Sequence, residues 1–246
     1  MKKYGICEFS MIPVRSGESS KNEMVSQLLY GEVFQVLKQK KKWTKILICS
    51  DNYFGWINNT QIKFVTKKEY EKIIKRKPIF CVDFEGYVMD GNNEKTLIPF
   101  GGLVSSCEEL NSVYYGKSSV SCEFDIIEIA KKYINSPYLW GGRNQHGIDC
   151  SGFSQIVYKI NGINIPRDAS QQAKLGEEIS FSEINSGNLA FFGSSKNEIS
   201  HVGLVLNKKK IIHAFGKVRI DDFNRDGIKN IKSKKITHKL IEIKKY

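Results

Sequence analysis

The sequence predicts an α+β protein in which small β modules come first and a domain of helices followed by an antiparallel sheet comes second. Two patterns carry this prediction. Residues 1–65 contain short apolar runs separated by turn residues, which is typical of a small β-barrel. From about residue 122, apolar positions recur at helical spacing, and strand patterns return only after the helical segments.

Composition and charge narrow the class of protein. The chain has 246 residues, of which 41% are hydrophobic and 26% are charged, so it has room for a folded core and more than one domain. The net charge is +12, but the lysines occur as short runs without an aromatic-interleaved stripe. We therefore predict no nucleic-acid partner, while attraction to anionic polymers in general stays open.

The sequence also allows a prediction of where in the cell the protein is found. No segment approaches eighteen consecutive apolar residues, so we predict no membrane span. Lys2 and Lys3 are not followed by a sustained apolar stretch, so the chain as given is expected to be cytoplasmic. A chain trimmed of its leader would look the same, and an exported protein is the alternative.

In the first half, strands are predicted over 10–16, 32–39, 44–50 and 53–58. A charged, weakly helical connector, 67–77, ends before Pro78. The stretch that follows again alternates strand and turn patterns, beginning with IFCVDF, and is small for an independent core. The predicted domains are therefore a barrel over 1–72, a second and smaller β module over 79–118, and a main domain over 122–246.

In the main domain, the apolar spacing from Phe124 to Tyr133 predicts a first helix, and CSGFSQIVYKIN predicts a second helix that begins at Cys150. Asp168 is expected to cap a short helix over 168–175. Strands are then predicted at NLAFFG, HVGLVLN, KIIHAFG and THKLIEIKKY, joined by short turns.

The cysteines are scattered, without a C-x-x-C pair or a disulfide-type spacing. They are Cys7, Cys49, Cys81, Cys107, Cys122 and Cys150. Only Cys150 lies outside apolar or β-type surroundings, between Asp149 and Ser151 at a predicted helix start. The positive end of the helix dipole is expected there to lower the thiol pKa from about 8.5, which favours a nucleophile.

A thiol nucleophile needs a base within hydrogen-bonding distance. His201 and His213 lie on consecutive predicted strands joined by a short hairpin at Asn207–Lys210, so their rings are expected side by side. His201 would accept the proton and His213 would orient it. Packing roles for these residues, or a zinc site, are alternatives. The Cys–His–His set leaves no convincing fourth ligand, so neither a metal nor another cofactor is predicted.

Four ordered stretches carry a resemblance to a known family. They are residues 136–172, which include WGGRNQHGIDCSGF, then SGNLAFFG, SHVGLVL and IIHAFG. They resemble the NlpC-type peptidases, which are papain-like bacterial cysteine enzymes that cleave the bond between γ-D-glutamate and a diamino acid in peptidoglycan stem peptides. D-C-S-G stands at 149–152 and H-V-G at 201–203. Asn188 replaces the usual aspartate of G-D-L, which we interpret as a change of turn.

The resemblance implies roles for individual residues. Cys150 becomes the nucleophile, His201 the general base and His213 the orienting third member, and the hydroxyl of Tyr138 helps the Cys150 N–H to stabilise the oxyanion. Asp149 and Ser151 match residues that hold the substrate ammonium.

The first half of the chain resembles the bacterial SH3-like barrels that precede such peptidase domains, on MIPVRSGESSKNEMVSQLLYGE and FGWIN. In such enzymes the barrel restricts the cleft to stems with a free N-terminal L-Ala. Glu18 and Tyr53 are the barrel candidates for completing an amine clamp, and Trp140 for lining the cleft.

The predicted function is therefore a γ-D-glutamyl-L-diamino acid endopeptidase that acts on muropeptides with a free N-terminal L-Ala, in cell-wall recycling. One alternative is a wall-binding protein with an inactive peptidase domain. Others are an exported hydrolase of intact peptidoglycan and an acyltransferase or lipid amidase. The sequence leaves open whether the third stem residue is lysine or diaminopimelate, and what the oligomeric state is.

Overall fold

A computed structural model describes residues 2–120 and 125–246. The chain forms two compact units, 1–123 with 141–145, and 124–140 with 146–246. Phe124, predicted to begin a helix, and Cys122 lie outside the described residues. Within the described ranges, no helix is both long enough and apolar enough to cross a membrane.

The first unit begins with a seven-stranded antiparallel sheet in the order β3-β2-β6-β5-β4-β1-β7. Its strands are β1 Tyr4–Ile6, β2 Met11–Arg15, β3 Met24–Leu29, β4 Val33–Gln39, β5 Trp43–Ile48, β6 Phe54–Asn58 and β7 Lys63–Val65. Alternate residues of β5 are buried, which is the two-residue period of a half-buried strand. They include Ile46 and Ile48, which join Phe34 in the core. Strands β2, β4, β5 and β6 were predicted from the sequence, whereas β1, β3 and β7 were not.

The connector forms helix α1, Lys67–Lys75, and begins with a capping box. Thr66 Oγ1 accepts from the Glu69 N–H, and the Glu69 carboxylate accepts from the Thr66 N–H. A three-stranded sheet of order β10-β8-β9 follows, with β8 Tyr87–Asp90, β9 Lys95–Leu97 and β10 Ser112–Tyr115. The strand predicted at residues 79–84 is wrong, because Phe80 and Cys81 make only isolated bridges there.

The small sheet shares its core with the seven-stranded sheet and with α1. The buried cluster combines Tyr4 and Tyr30 from the region of the seven-stranded sheet, Ile73 of α1, and Val88 and Ile98 of the later stretch. A piece of chain too small for its own core thus packs on a neighbour. The division of this region at residues 72 and 79 stays a prediction of the sequence.

Residues 141–145, with the two-residue strand β11 Arg143–Asn144, belong to the first unit. Arg143 is 1% exposed and forms an ion pair of 2.9 Å with Glu32, which is 3% exposed. The Glu32 carboxylate also accepts from the Leu29 N–H, and Arg143 donates to the Gln27 carbonyl oxygen. A buried ion pair needs such additional hydrogen bonds to offset the loss of hydration of both charges.

The second unit places its helices before most of its sheet in the chain, as the sequence predicts. Its helices are α2 Ile126–Lys132, α3 Cys150–Ile160 and α4 Ala169–Gln172. Its strands are β12 Gly147–Ile148, β13 Glu177–Glu178, β14 Leu189–Gly193, β15 Ile199–Asn207, β16 Lys210–Phe215, β17 Lys217–Asn224, β18 Gly227–Lys229 and β19 Ile236–Lys245. Short 3-10 turns lie at Asn59–Gln61 and Val104–Ser106 of the first unit and at Phe181–Glu183 of the second.

The large sheet of this unit is antiparallel and has the order β13-β19-β14-β15-β16-β17-β18, with a further pairing between β18 and β19. That pairing closes six strands into a barrel, a feature the sequence analysis did not predict. The apolar side chains on one face include Ala190, Phe192, Val205, Ile211 and Ile243, and they form the core cluster. Closure removes the free edges of the strands.

Helix α3 contacts β15, β16 and α2, and every one of its residues is buried. Its N-cap is Asp149, whose Oδ1 accepts from the Gly152 N–H at 2.7 Å. The cap fixes the first turn of α3, and with it Cys150, against the sheet.

Candidate active site

Cys150 is the first residue of α3 and is 6% exposed. Its sulfur accepts hydrogen bonds from the backbone N–H groups of Val202 and Ser151. Val202 directly follows His201 on β15, so the thiol lies against the strand that carries the predicted base. The structure thus brings the head of α3 and this part of β15 together.

Burial dominates the protonation of the thiol. It raises the pKa of Cys150 to about 12 and the Asp149 carboxylate adds to the rise, while the backbone N–H groups and Arg167 act in the opposite direction. The predicted lowering of this pKa is therefore wrong. The pKa of His201 is lowered well below 6.5, because burial and the neighbouring His213 and His238 rings disfavour a charged imidazole. At neutral pH the resting pair is a neutral thiol and a neutral imidazole.

A chain of hydrogen bonds runs inward from His201. Its Nε2 lies 2.8 Å from Nδ1 of His213, and Nε2 of His213 lies 3.1 Å from Oδ2 of Asp221. Arg219 donates from Nη2 to Oδ1 of Asp221 at 2.8 Å and places Nε 2.7 Å from Oδ2. The backbone N–H of Ile231 donates to Oδ1 at 3.0 Å. The side chains of His201, His213 and Arg219 are thereby connected to the carboxylate of Asp221.

These hydrogen bonds determine the tautomers of the His201 and His213 rings. Burial acts to raise the pKa of Asp221, but hydrogen bonds from His213, the Ile231 N–H and Arg219 outweigh it and bring the pKa to about 2, so Asp221 is ionised and accepts. His213 must then carry its proton on Nε2 and accept at Nδ1. His201 in turn donates from Nε2, which leaves its Nδ1 as the basic nitrogen. The ionised Asp221 thus leaves Nδ1 of His201 able to accept a proton.

Glycine makes room for this ring pair. Gly203 follows His201 by two residues on β15, and a Cβ added to Gly203 would lie 3.0 Å from Cβ of His213 and 2.8 Å from Cδ1 of Ile211. Ordinary side-chain contacts are longer than this. The glycine of H-V-G therefore lets β16 bring His213 against His201.

Tyr138 belongs to the same electrostatic site. Its pKa is raised to about 12 by partial burial first, and then by the negative charge that Cys150 and Asp149 carry when ionised. The phenol therefore keeps its proton at neutral pH and is able to donate a hydrogen bond. This is the chemistry that an oxyanion-stabilising tyrosine requires; its catalytic role stays a prediction.

Asp149 and Ser151 are both buried and are held by a residue that the sequence analysis did not single out. Arg167 donates to Oδ2 of Asp149 at 2.6 Å and to Oδ1 at 3.1 Å, and also to Oγ of Ser151 at 2.8 Å. Asp149 is thus paired with a guanidinium while it caps α3. Its predicted role as the partner of a substrate ammonium stays a prediction.

The remaining candidates lie near the surface. Trp140 is 58% exposed. In the first unit, Glu18 forms an ion pair of 2.6 Å with Lys40, and both side chains are roughly half exposed. Tyr53 packs at the edge of the core of the seven-stranded sheet and stacks with Phe54 at 6.4 Å between centroids. Their roles in substrate binding also stay predictions.

Asp221, Arg219 and His238 were missed as site residues. Asp221 and Arg219 lie on β17, a strand that was not predicted, although VRID at 218–221 alternates apolar and polar residues with the period of a strand. His238 lies on β19, and its ring stacks on that of His201 with 4.2 Å between centroids. The closure of the sheet through β18 and β19 brings it there.

Comparisons with known proteins agree with this geometry. Residues 135–238 match the model of the NlpC/P60 family, and residues 14–62 match that of the bacterial dipeptidyl-peptidase Sh3 domain. The chain is 28% identical over 224 residues to the gamma-D-glutamyl-L-lysine dipeptidyl-peptidase of Bacillus subtilis, covering 81% of this chain and 75% of that protein. It is 34% identical over 130 residues to a probable endopeptidase NlpC homolog of Haemophilus influenzae, covering 50% of this chain and 69% of that protein.

A solved structure shows the same fold along the whole chain. The crystal structure of an NlpC/P60 family protein from Bacillus cereus has a TM-score of 0.76 with this chain, covers 99% of both chains and is 17% identical in sequence. With the buried thiol and its imidazole neighbour, these matches define a cysteine peptidase, which is a hydrolase. The chain belongs to the NlpC/P60 family and carries that fold behind an N-terminal SH3-like domain. The resemblance noted in the sequence is thereby confirmed.

The raised pKa of Cys150 predicts how the thiol reacts. Only the thiolate is alkylated, and its fraction grows about tenfold per pH unit below the pKa. We therefore expect the rate of Cys150 modification by iodoacetamide to climb steadily from about pH 6 to about pH 10. Mass spectrometry of the Cys150 peptide separates this site from the other cysteines. A rate that is constant between about pH 5 and pH 8 would instead reveal a thiolate–imidazolium pair and contradict this prediction.

Asp221 is predicted to act through the tautomer of His213. Asp221→Asn weakens the acceptor on which the proton placement of both rings depends, so we expect kcat to fall about ten- to hundredfold with little change in KM. Asp222→Asn is the matched control. Asp222 is the next residue, it pairs with Lys210 at 2.7 Å, and it is partly exposed, so the same loss of charge should leave kcat within about twofold. Equal effects of the two substitutions would show that Asp221 has no special role.

Proposed function

We propose that this chain hydrolyses the γ-D-glutamyl–diamino acid bond of peptidoglycan stem peptides. The observation that carries the proposal is the match to the gamma-D-glutamyl-L-lysine dipeptidyl-peptidase, because it covers 81% of this chain and 75% of that relative rather than the peptidase part alone. A second relative of the same name, from Bacillus cereus, is 24% identical over 229 residues. The hydrogen-bond chain from His201 to Asp221 supports an active thiol enzyme rather than an inactive binding protein.

In the proposed reaction, the Cys150 sulfur attacks the γ-carbonyl carbon of the D-glutamyl residue while Nδ1 of His201 takes the thiol proton. Tyr138 donates to the oxyanion that forms. His201 then returns the proton to the leaving amine of the diamino acid, and a thioester to Cys150 remains. Water, activated by the same nitrogen, hydrolyses the thioester and releases the acyl product and the thiol.

We further propose that the substrate carries a free N-terminal L-Ala, so that the product is the dipeptide L-Ala-γ-D-Glu, as in muropeptide recycling. The support is the word dipeptidyl in the names of both relatives, since an enzyme that removes dipeptides must measure two residues from a free amino terminus. A hydrogen bond between the substrate ammonium and the protein contributes about 1.5–3 kcal/mol to the free energy of binding, net of the hydrogen bond to water that it replaces.

Defined tripeptides test this proposal. L-Ala-γ-D-Glu-L-Lys is expected to be cleaved to L-Ala-γ-D-Glu and lysine, and N-acetylation should lower kcat/KM by about ten- to hundredfold. The matched control is the C-terminal amide of the same tripeptide, which changes the opposite end. Mass spectrometry identifies the cleaved bond, and the diaminopimelate analogue shows the preference at the third residue. Equal turnover of the free and acetylated peptides would overturn the free-amine requirement, while absence of cleavage of either would overturn the substrate class.

A further inference from the structure

Three imidazole rings lie close together in the second unit. His201 and His213 are hydrogen-bonded, and His238 of β19 lies with its ring centroid 4.2 Å from that of His201 and 5.6 Å from that of His213. One nitrogen from each ring lies within 4.8 Å of the other two. The hydrogen bonds described above use only two of these rings, so the position of His238 is unexplained by them.

We propose that His201, His213 and His238 form a binding site for a divalent transition metal ion of the class that prefers imidazole, such as Zn²⁺. The spacing of the cysteine and the strand histidines alone offered no such set, because His238 is distant in sequence and joins the others only when the sheet closes. Three imidazoles with a water as fourth ligand are a known zinc donor set.

The distances allow this coordination after a small movement. Zn–N bonds of about 2.0–2.1 Å in a tetrahedron place the ligand nitrogens about 3.3 Å apart. Nε2 of His201 and Nδ1 of His213 are 2.8 Å apart and need to separate by only about half an ångström. The His238 ring is inclined by 27° to that of His201 and must turn to aim its nitrogen at the ion. The hydrogen bond between Nδ1 of His238 and Oγ1 of Thr237 is exposed to solvent, so rotating the His238 ring costs little free energy.

The surroundings favour a metal ligand in two further ways. His213 presents its other nitrogen to Asp221, and a histidine that binds a metal commonly donates its second N–H to a carboxylate in this way. The His238 ring lies within 5.6 Å of the other two rings, between centroids, so only a local rotation separates its nitrogen from a shared ion. His238 is also only partly buried, which gives an ion a route from solvent.

Occupancy would switch off the thiol chemistry. A metal ion on Nε2 of His201 displaces the proton that this nitrogen donates to His213, and the proton moves to Nδ1 of the same neutral ring. Nδ1 then faces the Cys150 region as a donor and is no longer able to accept the thiol proton. This inhibitory consequence rests on the proposed role of His201 as base, whereas the binding of the metal does not.

Calorimetric titration of Zn²⁺ into untagged protein tests the site, with the Cys150→Ala variant as the reference protein. The proposal predicts that Cys150→Ala binds one Zn²⁺ with an affinity within about threefold of the native chain, because sulfur is not a ligand. Adding His238→Asn to that variant should weaken binding at least tenfold. The matched control adds His146→Asn instead, which removes a histidine outside this cluster and should leave the affinity unchanged.

The absorption spectrum of bound Co²⁺ provides a second test, which uses only the folded Cys150→Ala protein. It should give the visible absorption of tetrahedral nitrogen coordination without the near-ultraviolet band of a thiolate ligand. Loss of Zn²⁺ binding in Cys150→Ala would assign the metal to the thiol and overturn the proposal. Equal affinity with and without His238→Asn, equal weakening by His146→Asn, or a cobalt spectrum without tetrahedral bands would also overturn it.

Discussion

Replacing Cys150 by alanine is expected to lower kcat for the stem tripeptide by about 10⁵-fold or more, because the variant lacks the sulfur that forms the acyl-enzyme bond. The fold should survive this change. Cys150 is buried, but the substitution removes a single sulfur atom, and the resulting cavity costs about 1 kcal/mol. Thermal unfolding followed by circular dichroism checks stability, and product formation followed by mass spectrometry checks turnover.

A second cysteine supplies the control for Cys150. Cys49 is a partly buried thiol of the first unit that shares a hydrogen bond of 3.0 Å with the hydroxyl of Tyr70, and burial raises its pKa as well. Cys49→Ala should leave kcat within about twofold. Turnover that persists in Cys150→Ala, or that disappears equally in Cys49→Ala, would remove the thiol from the mechanism. Cys150→Ser should also be inactive, since a hydroxyl is far harder to deprotonate than a thiol.

The pair of imidazoles was predictable because it depends on local patterns. HVGLVLN and KIIHAFG alternate as strands, and the turn between Asn207 and Lys210 is short, so the two strands had to pair as a hairpin. In the observed register Leu204 faces Ile212, which places His201 and His213 two positions out of register and on the same side of the sheet. A period-two pattern and a tight turn were enough to bring the rings together.

The rest of the site depends on contacts that local patterns do not encode. Asp221 approaches His213 because β17 pairs with β16, and Arg219 faces His213 in that register. His238 approaches the other rings because β19 returns to pair with β18 and β14. Arg167 reaches Asp149 from a loop eighteen residues along the chain. Each of these requires the closure of the sheet or the path of a loop, which no window of sequence reveals.

The protonation of the thiol was mispredicted for a related reason. The position at the start of α3 correctly suggested a helix dipole and backbone N–H groups that favour a thiolate. Whether they prevail depends on how deeply the sulfur is buried, and Cys150 is 6% exposed. Burial is a property of the tertiary structure, and here it outweighs the dipole. The enzyme therefore depends on a base more strongly than a preformed thiolate would.

Because the buried thiol depends on a base, removal of that base should have the second large effect on kcat. His201→Ala is expected to lower kcat about 10³- to 10⁴-fold at neutral pH, because the buried thiol loses its proton acceptor and the leaving amine loses its proton donor. His201 is 6% exposed and its ring contacts those of Phe192 and His213, so thermal unfolding should be measured beside activity. His146→Asn, a change at a histidine outside the cluster, is the control and should retain nearly full activity.

Alkylation separates a base from a merely structural histidine at this position. If His201 serves only to shape the pocket, His201→Ala should change the access of iodoacetamide equally at every pH. If His201 is the base, the variant should lose turnover while alkylation of Cys150 still rises with pH, because hydroxide in the solvent replaces the imidazole as proton acceptor for a small reagent. Hydrolysis of the peptide should not recover in the same way, since the variant lacks at every pH the imidazole that would protonate the leaving amine. Recovery of both activities together at high pH would contradict the assignment of His201 as the group that carries the proton from thiol to amine.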